Sequence, residues 1–136
     1  MVWNTYRKTR LMILDLAFKC LRFIGSADYG SIVTDAAGLA EGIAASIPFH
    51  LIADTQEYLR YVQAGMRIVQ PGRPLGGLLM LHPLHFAAVS EILSHEMREY
   101  MRRQLRWIGN NMGIGQASLL ADVSLRNPDL NVIRSP

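Results

Sequence analysis

The chain has 136 residues, half of them hydrophobic and 18% charged, with a net charge of +3. That length supports one domain burying about 68% of its unfolded surface, and the weak basic bias falls short of the footprint of a nucleic-acid binder. The single cysteine, Cys20, excludes an intramolecular disulfide and a cysteine-rich zinc site, while eleven Gly and six Pro exclude one long coiled coil.

Helical periodicity opens at about Val2 and runs to Ile24. Trp3, Tyr6, Ile13, Ala17, Cys20 and Ile24 recur near one face, and Leu11, Leu14, Phe18 and Leu21 form a second apolar stripe. A helix apolar on two sides is expected at the centre of a bundle. Arg7, Lys8 and Arg10 are expected to be solvated. Cys20, among apolar neighbours, reads as a small core residue rather than a nucleophile, because burial raises a thiol pKa.

Gly25 to Gly30 reads as a helix stop and turn. The next helix is expected from Ser31 to Ile47, with Ile32, Ala36, Leu39, Ile43 and Ile47 on one face and Pro48 at its end. Its small residues permit close approach of a neighbouring helix. Thr55 to Val69 carries Tyr58, Tyr61, Val62 and Met66 at helical steps, so a helix is possible there, and Pro71-Gly72-Arg73-Pro74 is a breaker.

A further helix is expected over Leu75 to Leu93, with Pro83 kinking or breaking it near Leu79 and Met80. The stretch from Pro74 to Ser90 lacks Asp, Glu, Lys and Arg but holds a second Pro and two His. It reads as a buried soluble helix rather than a membrane span. Ser94 suits an N-cap and Glu96 the first turn of the next helix, which runs to about Met112. Met97, Met101, Leu105, Ile108 and Met112 form its apolar stripe. Gly113 suits the left-handed C′ position, in a structural corner with Met112 and Ile114 buried on either side. A short helix follows from about Gly115 to Leu125, and Asn127-Pro128 ends it. These readings give an all-α compact bundle of about five helices over residues 1–126, with a C-terminal tail over 127–136.

Reactive constellations are thin. His82 and His85 are three apart on a helix, but zinc needs further ligands and their segment has no Asp, Glu or Cys. His95-Glu96 lacks the second His that a zinc-protease helix requires. No metal or cofactor is expected. Arg98, Arg102, Arg103 and Arg106 read first as a solvated helix face diluted by Glu96 and Glu99. Contact with phosphate or an acidic partner is the sharper alternative.

Four segments stand in a fixed order: Trp3-Asn4-x-Tyr6-Arg7, Ala45-Ser46-Ile47-Pro48-Phe49-His50-Leu51, Gly76-Gly77-Leu78-Leu79-Met80-Leu81-His82-Pro83-Leu84, and Leu105-Arg106-Trp107-Ile108-Gly109-x-x-Met112-Gly113-Ile114-x-Gln116-Ala117 with Leu120-Ala121-Asp122. Together they resemble the carboxy-terminal end of the fungal-specific transcription factor domain. That domain is the helical regulatory region downstream of a binuclear zinc cluster. The resemblance covers about Val2 to Leu125, weakly from Ile52 to Arg73. It implies transcription regulation and a nuclear location. The zinc cluster and the amino-terminal half of the regulatory domain are missing, so DNA binding does not carry over. His82 stands where the family usually has Trp before this Pro, which implies a packing role.

Two function classes follow. In the first, the chain is a non-catalytic regulatory or interaction module, a truncated homologue acting through other proteins or as a decoy for a longer relative. In the second, it binds or transforms a small apolar molecule in a secondary-metabolism context, with His50, His82 and His85 as ligand-binding candidates. Convergence of these three on one cavity would favour the second class. A protein partner or a homodimer is expected to cover the face carrying Leu11, Leu14, Phe18 and Leu21. The chain shows no apolar run shaped like a signal peptide after Met1. It is read as intracellular, cytoplasmic if not nuclear, without membrane contact.

Overall fold

The computed structural model describes residues 2–51, 54–65 and 74–126. Six helices follow in order: α1 (Val2–Phe23), α2 (Gly30–Leu51), α3 (Thr55–Gln63), α4 (Pro74–Val89), α5 (His95–Met112) and α6 (Gly115–Arg126). The described residues contain no strand. The all-α bundle is therefore as expected, and the possible helix after Thr55 is present as α3. The expected tail over 127–136 and the breaker Pro71-Gly72-Arg73 lie outside the described residues.

Local signals explain most helix ends. Gly25 sits at φ 76°. The Ser26 amide returns to the Leu21 carbonyl at 3.0 Å, and the Gly25 amide to the Arg22 carbonyl at 3.2 Å. That is the paired bond pattern that closes a helix through a left-handed residue. Asp54 caps α3 through its carboxylate, and Ser94 caps α5 by accepting the Met97 amide at 3.2 Å. Gly113 ends α5 at φ 70°, as expected, while Met112 and Ile114 pack half-buried rather than buried.

Neither interior proline ends its helix: Pro48 does not stop α2, against expectation, and at Pro83 the break is absent. α2 continues through Pro48 to Leu51, and α4 runs unbroken through Pro83 to Val89. Each proline removes one helical hydrogen bond, a cost of about 3 kcal/mol in an isolated helix. Tertiary burial offsets it. Ile47 and Leu51 flank Pro48 inside the core, and Leu81, Pro83 and Leu84 are buried together.

α4, not α1, is the central helix. It packs against α1, α2, α5 and α6. Leu11, Ile43, Met80, Leu84, Met101, Leu105 and Ile108 are fully buried around it. Truncating one such Leu to Ala would cost roughly 2–5 kcal/mol. By length and composition α2 is apolar enough to cross a membrane. In the bundle its Ala36, Ala40, Ile43 and Ile47 form a wall of the core.

α1 has only one buried face. Leu11 is fully buried, and Leu14 and Phe18 pack half-buried against the core, with Leu21 also half-buried. The face expected to meet a partner is thus covered by the chain's own helices. The other stripe, with Trp3, Tyr6, Ile13 and Ile24, is exposed. Cys20 is exposed with it, not in the core.

Candidate functional site

Four polar side chains are drawn into the bundle, Asn4, Asp15, Ser90 and Arg102. Ser90, just past the end of α4, only donates back to the Phe86 carbonyl at 2.6 Å, whereas Asn4, at 5% exposure, joins three helices. Its amide nitrogen donates to Ser46 Oγ at 2.7 Å and approaches His50 Nε2 at 3.3 Å and Met80 Sδ at 3.4 Å. Two amide protons thus serve three acceptors on α2 and α4. The Asn4 carbonyl accepts Arg7 Nη1 at 3.1 Å, and the Ser46 hydroxyl donates onward to the Ile43 carbonyl at 2.7 Å. The node is satisfied from end to end, as a buried polar group must be to avoid a desolvation penalty of about 1–3 kcal/mol.

Beside this node lies a cavity of about 160 Å³. Asn4, Lys8, His50, Leu79, His82 and Pro83 are among its walls. His50 and His82 therefore meet at one cavity. Burial holds the His50 ring below the ordinary imidazole pKa of 6.5, which favours the neutral form whose Nε2 accepts from Asn4. Pro83 has no amide proton, so the α-helical bond to the Leu79 carbonyl cannot form, and both residues line the same space. The Lys8 ammonium stands 5.7 Å from the Phe86 ring centroid, near the cavity's edge.

His85 is turned elsewhere. It is hydrogen-bonded to the Leu120 backbone of α6 and stands edge-on to Phe86. Burial lowers its pKa, and that hydrogen bond opposes the shift. The three candidates do not converge. His82 is itself exposed, so the packing role implied by the Trp resemblance is not the one it takes. A cavity of this size is below the roughly 300–1,000 Å³ of drug-sized pockets and suits a molecule near the size of benzene.

The arginine face is also changed. Arg102 is 6% exposed, not solvated. It donates to the Ala88 carbonyl at the end of α4 at 3.3 Å and to Glu99 at 3.0 Å. Arg106 reaches the other Glu99 oxygen at 3.5 Å. Arg102 beside Glu99 holds that carboxyl below its usual range. Two of the four arginines are committed to one acid within the bundle, which leaves little of a phosphate-binding face.

Asp15 completes the buried polar set. Its carboxylate accepts the Ile92 amide at 3.0 Å and pairs with Lys19 Nζ at 2.8 Å. Glu91 extends the network to Lys19 and to Arg22. Asn4 and Asp15 lie seven before and four after Leu11, a register that marks them as inward only once the Leu11 stripe is known to be the buried one. Arg102, one residue after Met101 in the α5 stripe, carries no such mark.

Compared with known proteins, the chain is 40% identical over 121 residues to transcription factor dbaG of Emericella nidulans. The match takes in 88% of this chain and 29% of that protein, so the chain spans less than a third of the curated relative's length. No protein-family model matches the chain, and no solved structure does. At that identity, over most of its length, the chain is a relative of a fungal transcription factor.

Proposed function

We propose that this chain is a non-catalytic helical module of transcription regulation, nuclear in location, that binds no DNA by itself. The carrying observation is the 40% identity to transcription factor dbaG over 88% of the chain. The disposition of charge supports it. Arg10, Lys19, Arg22, Arg102 and Arg106 all pair with acids of the same chain, which withdraws five of the 14 Lys and Arg from contact with phosphates. The module acts through protein contacts. Tethering the full chain to an unrelated DNA-binding domain at a reporter promoter tests the reading. A reporter level raised or lowered relative to the DNA-binding domain alone is expected. An unchanged reporter, together with sequence-selective DNA binding by the free chain at physiological salt, overturns it.

A second reading, the binding of a small apolar molecule, keeps the support of two of its three histidines, since His50 and His82 meet at one cavity while His85 does not join them. Leu78, Leu79 and Pro83 supply the apolar wall, and Asn4, His50 and His82 the few polar groups that orient a ligand. Thermal-shift screening with single-ring aromatic compounds checks it. Stabilisation that disappears in Leu79→Trp, which fills the cavity, supports this reading. No shift with any compound removes it.

A further inference from the structure

α1 repeats every seven residues on its outer face. Tyr6, Ile13 and Cys20 occupy one position of the heptad, and Val2, Leu16 and Phe23 another, with Thr9 completing the row. All are exposed, the large apolar ones from 50% for Tyr6 to 86% for Phe23. Trp3, Met12 and Ile24 flank the row and are exposed too. The row lies opposite the inward positions Asn4, Leu11 and Phe18, so no element of the described bundle covers it.

We propose that this row is the seam at which a second copy of the chain docks, α1 against α1, and this goes beyond the regulatory reading and stands without it. Three features select that occupant. A strict spacing of 3.5 residues keeps a seam facing another helix along its whole length, whereas a flat surface or a lipid interface imposes no such register. The second feature is area. With whole aromatic side chains presenting about 150–250 Å² each, the exposed apolar residues of α1 offer on the order of 1,000 Å² per copy. Two copies bring together roughly the 1,200–2,000 Å² of stable protein interfaces. Monomers seldom leave more than a few hundred Å² of apolar patch uncovered.

The third feature is charge. Arg10 and Lys19 are the only charged residues at the flanking positions. Each is already paired within its own chain, Arg10 with Asp35 at 3.7 Å and Lys19 with Asp15 at 2.8 Å. Paired in parallel, Arg10 faces Thr5 and Lys19 faces Ile24 of the other copy. No like charges meet and no unpaired charge is desolvated.

Sedimentation equilibrium of the full chain is the test. A mass twice the 15.3 kDa of one chain is expected. Ile13→Asp with Leu16→Asp should weaken association by at least about a hundredfold, because each carboxylate enters an apolar seam. Both positions are exposed, so the variant should keep the parent's helical circular dichroism. Should the variant unfold, Cys20 provides an independent readout in the unaltered seam. Copper-phenanthroline oxidation links Cys20 to its counterpart in a parallel pair. The same oxidation of Thr9→Cys links positions 9 and 20 in an antiparallel one. A cross-linked dimer from either protein supports the proposal. A monomer throughout the soluble concentration range with no cross-link from either protein overturns it. So does a monomer that binds phosphatidylserine–phosphatidylcholine vesicles through Ile13 and Leu16, which assigns the row to a lipid surface.

Discussion

The Asp15 carboxylate accepts the backbone N–H of Ile92 at 3.0 Å across 77 positions of sequence. This bond fastens the middle of α1 to the turn between α4 and α5. That turn cannot satisfy the Ile92 amide through a regular helix. Asp15→Ala should strand the amide and cost roughly 1–3 kcal/mol in urea unfolding. Asp15→Asn keeps an acceptor and should lose less. Equal losses would mean that the Lys19 pairing, not the amide, carries the contribution.

Asn4→Leu should destabilise by roughly 1–3 kcal/mol, since Leu fills the volume but leaves Arg7 without its carbonyl acceptor and takes the donor away from Ser46 and His50. Ser46→Ala in the same background should then cost little more, because the two losses share one hydrogen bond. Additive losses in the double-mutant cycle would show that Asn4 and Ser46 act separately.

Gly76 sets the distance between α2 and α4. A Cβ at this position would overlap the His50 carbonyl oxygen. Backbone cannot move aside as a flexible side chain can, so Gly76→Ala should cost roughly 1–3 kcal/mol despite the better helix propensity of alanine. A melting temperature equal to or above the parent's would show that the helices part without penalty.

Gly113→Val should destabilise by roughly 1 kcal/mol or more, through the Cβ contact that a left-handed backbone imposes. Gly113→Asn should recover part of that loss, because Asn tolerates this region. Equal stability of the two variants would place the cost in lost packing at the corner.

Acid should weaken the fold in two stages. Burial depresses the pKa of His50 and His85 in the folded chain, so the unfolded chain binds more protons below pH 6.5. Their contribution is complete above about pH 6.5 and is lost as pH falls through that value towards the folded pKa. Glu99 is also depressed, by Arg102, so its contribution is present above its usual 4.5 and lost below it. Urea midpoints measured from pH 7.5 to 4 should fall over both ranges. His50→Gln should flatten the upper one, and an unchanged slope would leave that range to His85.

The helices were legible because periodicity, caps and glycine stops agree: Ser94, Gly25 and Gly113 each act where their chemistry points. Pro48 misled because a local rule weighs one lost hydrogen bond and cannot see the burial that offsets it. α1 carried two apolar stripes, and nothing local says which one turns inward. Asn4 and Asp15 decide it, since polar partners await them on α2, α4 and the turn at Glu91 and Ile92. The candidate site was half legible. His50 and His82 meet because α2 and α4 pack through Gly76, while His85 is carried one turn onward to α6. Arg102 was missed because its acceptor is the Ala88 carbonyl, a main-chain group with no trace in side-chain spacing.

The packing of consecutive helices also sets an order in time. α1 with α2, α4 with α5 and α5 with α6 are all neighbours in the chain as well as in space. Such helical hairpins close short loops and form quickly, whereas the Asp15–Ile92 and Asn4–Met80 bonds close loops of more than seventy residues. The two halves are therefore expected to gain their helices separately and to lock together last. A substitution at Asp15 then acts mainly by hastening escape from the finished fold, leaving the speed of its assembly almost untouched.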